Sequence, residues 1–182
     1  IVALDIQNRL RNLNYTVSDR VSSGEEAISK AAEMRPDLVL MDIKLKGKMD
    51  GVEAAEQIRD QLDIPVIYLT AFADNKTLQR AKITEPFGYI IKPFKPEELE
   101  ITIRMALLRH QVENRLKESE ERYRDLVEKA GVAITTDDEQ GRVSYFNKKY
   151  SEIFGYTEAE MHDIPIRSLI HPDDWEMVKK YH

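Results

Sequence analysis

Apolar residues in the first hundred positions follow two alternating patterns. Short unbroken runs such as "LVLM" and "VIYL" are typical of strands buried on both faces. The segments between them place apolar residues three or four positions apart, which predicts amphipathic helices. The resulting prediction is helices at 1–15, 22–34, 50–60, 75–83 and from 95 onward, and strands at 15–21, 38–41, 64–70 and 88–94.

Capping residues stand where several of these helices should begin. Ser23 and Glu26 have the spacing of a capping box, and Asp50 and Glu53 repeat it. Asp74 is placed to cap the helix at 75–83. These residues support the helix assignments independently of the apolar pattern.

The alternation of helices and strands predicts a doubly wound α/β fold. Such an order requires parallel strands, right-handed crossovers and helices on both faces of the sheet. This fold class normally begins with a strand, whereas the sequence begins within a helix. We therefore expect a first strand before Ile1.

The segment 97–130 has a different composition. Sixteen of its 34 residues are charged and it contains no Gly or Pro, so it predicts one long helix. Its length of about 50 Å, at 1.5 Å per residue, exceeds what a small domain can cover. A dimerising coiled coil with one four-residue stutter explains the apolar spacing, although a single amphipathic helix lying on its own domain is an alternative. The repeating apolar or small positions are Ile101, Met105, Leu108, Val112, Leu116, Ser119, Tyr123, Leu126 and Ala130.

Residues 131–182 predict the start of a second, α+β domain. Ala133–Thr136 and Val143–Phe146 read as a hairpin with Gly141 in its turn. Short helices follow, with Thr157 and Glu160 spaced as a capping box. The predicted domains are therefore 1–96, a helical linker at 97–130, and 131–182.

Three polar residues stand at the ends of successive predicted strands. Asp42 follows "LVLM", Thr70 follows "VIYL" and Lys92 follows "GYII". Ligands of open α/β sheets bind outside the carboxyl ends of the strands. An acid, a hydroxyl and an ammonium should therefore meet in one pocket. Asp42 alone would read as a turn former, an ion-pair partner or a nucleophile.

With these motifs, residues 1–110 resemble the receiver domain of two-component response regulators. The matching pieces are "LVLMDIKLKGKMDG", "IPVIYLTA" and "YIIKPF". The resemblance implies that Asp42 is the phosphoacceptor, that Thr70 binds the phosphoryl group and that Lys92 pairs with the phospho-aspartate. It also implies that Tyr89 is a switch aromatic, while the small Ala71 leaves the pocket open to a donor.

The same resemblance implies a Mg²⁺ ion held by Asp42 and by the backbone carbonyl of Lys44. The family adds an acidic pair at the end of the first strand, and we expect that pair upstream of Ile1. Asp5 is the only nearby acid, and its place within a helix predicts a surface residue or cap partner. Three lysines follow Asp42, and we expect a solvated loop there: Lys44, Lys46 and Lys48.

Residues from about 121 onward resemble the N-terminal half of a PAS domain. The resemblance rests on "GRVSYFN", "IFGY" and "HPDD". PAS domains bind ligands, sense light or dimerise, and the ligand here is unknown. His171 is expected to shape a turn, while His162 and His110 are expected to be exposed.

Composition narrows the functional classes. Zero cysteines exclude disulfides and a flavin–cysteine adduct, and no apolar run approaches the roughly 20 residues of a membrane span. The net charge of −6 lies in the second half, since residues 1–96 hold 14 acidic and 14 basic residues. This balance gives no electrostatic basis for nucleic-acid binding.

We interpret the chain as a cytoplasmic response regulator that is phosphorylated by a histidine kinase. The receiver would relay the change through a homodimeric helical linker to the PAS module. One alternative is the N-terminal part of a hybrid histidine kinase. Another is a dimerisation scaffold that is not phosphorylated.

Overall fold

The computed structural model describes residues 2–71, 86–157, 160, 164–178 and 180. Contacts divide the chain into two compact units, Ile1–Asn114 and Arg115–His182. The elements of the first unit are α1 (Val2–Asn12), α2 (Gly24–Met34), β1 (Val39–Asp42), α3 (Gly51–Leu62), β2 (Val66–Ala71), β3 (Gly88–Lys92) and the start of α4 (Pro96–Glu128).

The three strands form a parallel sheet in the order β1-β2-β3. Val39 pairs with Val66, and Ile67 pairs with Gly88. Side chains of β2 alternate between two cores, as the pleat of a strand requires. Val66 and Tyr68 pack in a cluster with α2 and α3, whereas Ile67 and Leu69 pack in a cluster with α1 and α4. This confirms the predicted α/β class with helices on both faces.

Side-chain caps hold the starts of α2 and α3. Ser23 Oγ accepts a hydrogen bond from the backbone N–H of Glu26 at 3.3 Å. Asp50 Oδ1 accepts from the N–H of Glu53 at 2.9 Å, and Glu53 Oε2 accepts from the N–H of Asp50 at 3.0 Å. This reciprocal capping box fixes the position at which α3 begins after the loop that follows Asp42.

The predicted strand at 15–21 is wrong for the described structure. Tyr15 and Val17 pack against one core and Val21 against the other, so the alternation reflects burial. A strand also needs a ladder partner, and none of the strands in the described ranges pairs with this segment. The predicted helix at 75–83 and its cap Asp74 lie outside the described residues.

The second unit contains a hairpin packed on short helices. Strands β4 (Thr135–Asp137) and β5 (Val143–Phe146) pair antiparallel, with an irregularity between Thr136 and Asp137. Gly141 turns the chain with φ +71°, in the left-handed region that glycine tolerates. The helices are α5 (Lys148–Phe154), two 3₁₀ turns (Ile166–Leu169 and Pro172–Asp174) and α6 (Trp175–Val178).

The long helix α4 carries apolar residues on two faces. Leu99, Ile103 and Ala106 are buried in the core of the first unit. The predicted heptad positions point away from that core, and the helix ends at Glu128, before Ala130. The exposed large apolar side chains of the helix, each 54–68% accessible, are Ile101, Met105, Leu108, Val112, Leu116, Tyr123 and Leu126. No helix in the described part of the chain is both long and apolar enough to cross a membrane.

The sequence also predicts the surroundings of three polar residues that lie away from the strand ends. Asp5 is exposed and pairs with Arg9 at 2.8 Å, as expected of a surface acid. His171 caps a 3₁₀ turn by accepting from the N–H of Asp173 at 3.4 Å. His162 lies outside the described residues.

The expectation that His110 is exposed is wrong. Its side chain is 19% accessible, with Nε2 lying 3.7 Å from Asp63 Oδ1. The imidazole also packs edge-on against Phe87, with ring centroids 5.4 Å apart. A place within a long, highly charged helix predicts exposure and does not reveal this packing against residues far away in the chain.

Candidate functional site

The strand ends bring Asp42 and Lys92 together. Asp42 is the last residue of β1 and lies opposite Leu69, while Lys92 is the last residue of β3 and lies opposite Ala71. The Lys92 ammonium forms an ion pair with Asp42 Oδ2, and this contact spans the end of the central strand β2. The side chains of Lys92 and Asp42 are 24% and 40% exposed respectively, so the pair is reachable from solvent.

Thr70 lies on β2, between the strands that carry the ion pair. The residue is 2% exposed, and its hydroxyl donates to the carbonyl of Ala71 at 3.2 Å. Ala71 itself is exposed. The sheet therefore places a carboxylate, a hydroxyl and an ammonium on three adjacent strands at one edge, which is the arrangement that the strand-end pattern predicts.

The backbone around Asp42 is held on both sides. Asp42 Oδ1 accepts from the N–H of Lys44 at 3.1 Å, and the N–H of Gly51 donates to the carbonyl of Ile43 at 3.0 Å. A Cβ atom at Gly51 would lie only 2.0 Å from the carbonyl oxygen of Asp42. Position 51 therefore requires glycine. From the sequence, Gly51 is predicted only to be a helix residue. The one sequence feature that could have indicated its close approach to Asp42 is its place directly after the cap Asp50.

Tyr89 lies on β3, three residues before Lys92. Its ring packs 5.8 Å from the ring of Tyr68, between centroids. Its hydroxyl is buried and has no hydrogen-bond partner among the described residues. Burial, with a smaller contribution from Tyr68, raises the pKa of Tyr89 to about 12.

Oxygen donors at the site suit Mg²⁺. The ion takes one or two carboxylates and keeps several waters. Asp42 supplies one accessible carboxylate, and Lys44, two residues on, supplies a backbone carbonyl. Within the described residues no group of three or more His, Cys, Asp or Glu side chains is placed to hold a metal. Asp42 and Lys44 thus fit part of a Mg²⁺ site in donor chemistry. The side chains of Lys44, Lys46 and Lys48 are exposed.

A second polar cluster, which the sequence did not indicate, joins the end of α4 to the hairpin. Asn147 is fully buried, and its Oδ1 accepts from the N–H groups of Ile134 (2.9 Å) and Tyr150 (3.1 Å). Its Nδ2 donates to the carbonyls of Val127 at 2.8 Å and Val132 at 3.0 Å. All four hydrogen bonds of this amide are therefore made within the second unit.

Glu128 strengthens the same junction. Its carboxylate accepts from the hydroxyl of Tyr145 at 2.5 Å and from the N–H of Lys148 at 2.9 Å. The hydrogen bond from Tyr145, followed by that from Lys148, lowers the pKa of Glu128. Desolvation and the bond to Glu128 raise the pKa of Tyr145 to about 12.

Comparison with known families matches both units. Residues 1–104 match the response regulator receiver domain, and residues 121–182 match the PAS fold. The first match includes Asp42, Thr70, Tyr89 and Lys92.

Individual relatives agree with the first match. The transcriptional regulatory protein PdtaR of Mycobacterium tuberculosis is 32% identical over 109 residues, which are 60% of this chain and 53% of that protein. The chain spans about half the length of the curated relatives it matches.

Solved structures resemble the same region. The signal receiver domain of a modulated diguanylate cyclase from Desulfovibrio desulfuricans is 39% identical, with a TM-score of 0.59 over 61% of this chain and 88% of that one. The N-terminal domain of a response regulator/sensory box/GGDEF three-domain protein from Carboxydothermus hydrogenoformans is 33% identical, with a TM-score of 0.55 over 61% and 89% of the two chains. This chain therefore belongs to the response regulator receiver family, and a PAS fold follows its receiver domain.

Proposed function

We propose that Asp42 accepts a phosphoryl group from a histidine kinase in a cytoplasmic two-component system. The observation that supports this most strongly is the ion pair between Asp42 and Lys92 across the end of β2, where Thr70 lies. A carboxylate in this place can act as a nucleophile toward phosphorus. A nearby ammonium and hydroxyl can stabilise the charge that the transferred group carries.

Each side chain has a defined part in the proposed reaction. A carboxylate oxygen of Asp42 attacks phosphorus, and the phosphorus–nitrogen bond of the donor's phosphohistidine breaks as the new phosphorus–oxygen bond forms. The histidine nitrogen keeps the electron pair. Lys92 then pairs with a phosphoryl oxygen, and the Thr70 hydroxyl exchanges the Ala71 carbonyl for another phosphoryl oxygen. Ala71, being small and exposed, leaves the approach open.

Asp42 and the carbonyl of Lys44 are the groups that would hold Mg²⁺. When bound, the ion would offset the negative charge of the phosphoryl oxygens. An acidic pair elsewhere in the protein would complete this site.

The proposed output is a population shift in a homodimer. Rearrangement of Thr70 and Tyr89 after phosphorylation would change the surface next to α4, and so the pairing of α4 with a second copy. The exposed apolar stripe of α4 supports such pairing, because monomeric proteins rarely leave long apolar surfaces in water. The PAS unit that follows would receive the change, and its ligand is unassigned.

Labelling with acetyl phosphate and Mg²⁺, read by intact-protein mass spectrometry, tests the acceptor. We expect Asp42→Asn and Asp42→Ala to abolish labelling, and Asp37→Asn, which alters an exposed acid before the same strand, to retain it. Labelling of either Asp42 variant at the wild-type level would disprove the assignment. A dimeric wild type that takes no label would instead support the scaffold alternative.

Beryllofluoride, a phosphoryl mimic, tests the output. We expect it to change the mass or the sedimentation coefficient of the wild-type chain and to leave Asp42→Ala unchanged. Identical size and shape of the wild type with and without the mimic would contradict the proposed relay.

A further inference from the structure

The last turn of α4 is attached to the rest of the second unit at two neighbouring residues. At Val127 the backbone carbonyl accepts a hydrogen bond from Asn147 Nδ2 at 2.8 Å. At Glu128 the side chain makes the attachment, because its carboxylate accepts from the hydroxyl of Tyr145 at 2.5 Å and from the backbone N–H of Lys148 at 2.9 Å. Both attachments therefore join α4 to the segment that runs from β5 into the first turn of α5.

Burial distinguishes the two attachments. Asn147 is fully buried and its amide makes four hydrogen bonds, so water cannot take the place of a lost partner. Glu128 and Tyr145 are only partly buried, so water can replace the hydrogen bond between them. The attachment through Asn147 is thus costly to open, whereas the attachment through Glu128 can open while the unit stays folded.

Two attachment points fix how the end of α4 is turned about its own axis. Successive residues of an α-helix lie about 100° apart around that axis, at 3.6 residues per turn. A helix end held at Val127 alone would be able to rotate about that point, and the second hold at Glu128 prevents the rotation. The Glu128 carboxylate therefore sets the angle at which α4 meets the hairpin.

Glu128 also has an alternative partner on its own helix. Arg124 lies four residues earlier and so shares a face of the helix with it. After the hydrogen bonds from Tyr145 and Lys148, the positive charge of Arg124 further lowers the pKa of Glu128, as expected of neighbouring side chains. A carboxylate released from Tyr145 can therefore form an ion pair with Arg124.

We propose that Glu128 is a positioning residue that acts as a latch with two states. In the closed state its carboxylate holds Tyr145 and Lys148 and fixes the rotation of α4 on the hairpin. In the open state it pairs with Arg124, and α4 stays attached through Asn147. In the proposed function α4 carries the change toward this unit, so the cause of opening rests on that proposal, whereas the latch itself does not depend on phosphorylation.

Amide hydrogen exchange of the full chain, resolved by NMR, tests the latch. Lys148 is the first residue of α5, where a backbone N–H has no acceptor within the helix, so its protection comes from Glu128. The N–H of Ile134, which donates to Asn147, reports on the buried attachment. In Glu128→Ala we expect exchange at Lys148 to become about tenfold faster, as for one lost hydrogen bond, and exchange at Ile134 to match the wild type.

Two results would overturn the latch. Faster exchange at both amides would mean that the whole unit is loosened, and unchanged exchange at Lys148 would mean that Glu128 does not protect it. Glu121→Ala is the matched control, because it removes an exposed acid two turns earlier on the same face, and it should change neither amide. If Glu128→Ala does not fold, Tyr145→Phe opens only the strand side of the latch. Exchange at Lys148 should then still rise relative to Ile134, and no relative rise would overturn the latch.

Arg124→Ala tests the open state. Without its alternative partner the carboxylate should stay closed for longer, so exchange at Lys148 should slow about twofold, the effect expected of an ion pair four residues apart on a helix. Lys117→Ala, which removes an exposed cation farther along α4, is the control and should have no effect. Unchanged or faster exchange in Arg124→Ala would overturn the two-state latch and leave a fixed contact.

Beryllofluoride tests what opens the latch. We expect the mimic to speed exchange at Lys148 in the wild type and to leave Glu128→Ala, which is already open, unchanged. No change in the wild type would overturn opening through α4. If acetyl phosphate still labels Asp42 in that case, the proposed acceptor stands and only the latch's part in the relay fails.

Discussion

The buried side-chain amide of Asn147 donates to the carbonyl of Val127, in the last turn of α4, at 2.8 Å. The same side chain accepts from the first turn of α5 and from the residue before β4. One residue therefore connects three backbone segments of the second unit.

Asn147→Ala should destabilise the second unit by about 3 kcal/mol, because buried backbone groups lose partners that water cannot replace. Chemical unfolding followed by the fluorescence of Trp175, the only tryptophan of the chain, measures the loss. Gln140→Ala, an exposed amide in the hairpin turn, is the control and should stay within about 0.5 kcal/mol of wild type. Equal effects of the two changes would refute a supporting role for Asn147.

Gly51→Ala should destabilise the first unit by about 3 kcal/mol, since the new methyl group would meet the Asp42 carbonyl at 2.0 Å. Either α3 or the loop after β1 would have to move. Gly131→Ala is a matched control, because nothing lies within 4 Å of the added methyl group. Urea unfolding of both variants checks the difference, and a Gly51→Ala protein as stable as the control would contradict the described packing.

Lys92→Ala should slow the phosphorylation of Asp42 while leaving the free energy of unfolding almost unchanged. Asp42 is 40% exposed, so water can replace the lost cation and the free energy of unfolding should change by less than about 1 kcal/mol. The rate of labelling by acetyl phosphate should fall on the order of 100-fold, as when a fixed charge-stabilising group is removed. Lys95→Ala, an exposed lysine three residues on, should label at the wild-type rate. Normal labelling of Lys92→Ala would exclude Lys92 from the reaction.

Tyr89→Phe should reduce the loss of stability that the wild-type chain undergoes in alkaline solution. The pKa of Tyr89 is 10.0 when unperturbed and about 12 in the folded chain, so the unfolded chain releases this proton first. The stabilising effect of that shift is complete below pH 10 and is lost as the pH rises toward 12. Urea unfolding at pH 8 and at pH 11 should show a smaller loss for Tyr89→Phe than for wild type. Parallel losses in the two proteins would mean that Tyr89 ionises normally.

At pH 8 the same variant should be within about 1 kcal/mol of wild type or slightly more stable, because the buried hydroxyl has no partner in the described part of the chain. Tyr145→Phe is an informative control, since its hydroxyl does have a partner in Glu128. That variant should be less stable than Tyr89→Phe.

The shared location of the strand-end residues was predictable from sequence because parallel strands all end at the same side of their sheet. Once three apolar runs are assigned to adjacent parallel strands, the residues that follow them must share one edge, and Asp42, Thr70 and Lys92 do. The capping box at Asp50 was predictable for a similar reason, since all its bonds lie within four residues.

Contacts between distant segments were not predictable. The place of Asn147 before a helix indicates a cap, but its other partners lie 13, 15 and 20 residues earlier, and no local pattern records them. His110 is covered by Phe87 and Asp63 for the same kind of reason. The segment 15–21 was mispredicted for a related reason. Its apolar residues do alternate between the two cores, but a strand also needs hydrogen bonds to a neighbouring strand, and a local pattern does not record whether one is there.

The close approach of Gly51 to Asp42 has a consequence for how a signal would begin. With α3 packed this tightly behind the carbonyl of Asp42, the main chain at the acceptor has almost no room to retreat. The extra volume and charge of a phosphoryl group must then be accommodated on the open side of the site. The groups free to respond there are the ends of side chains, the Thr70 hydroxyl and the Lys92 ammonium. Phosphorylation would thus be sensed as a rotation of side chains against a stationary backbone.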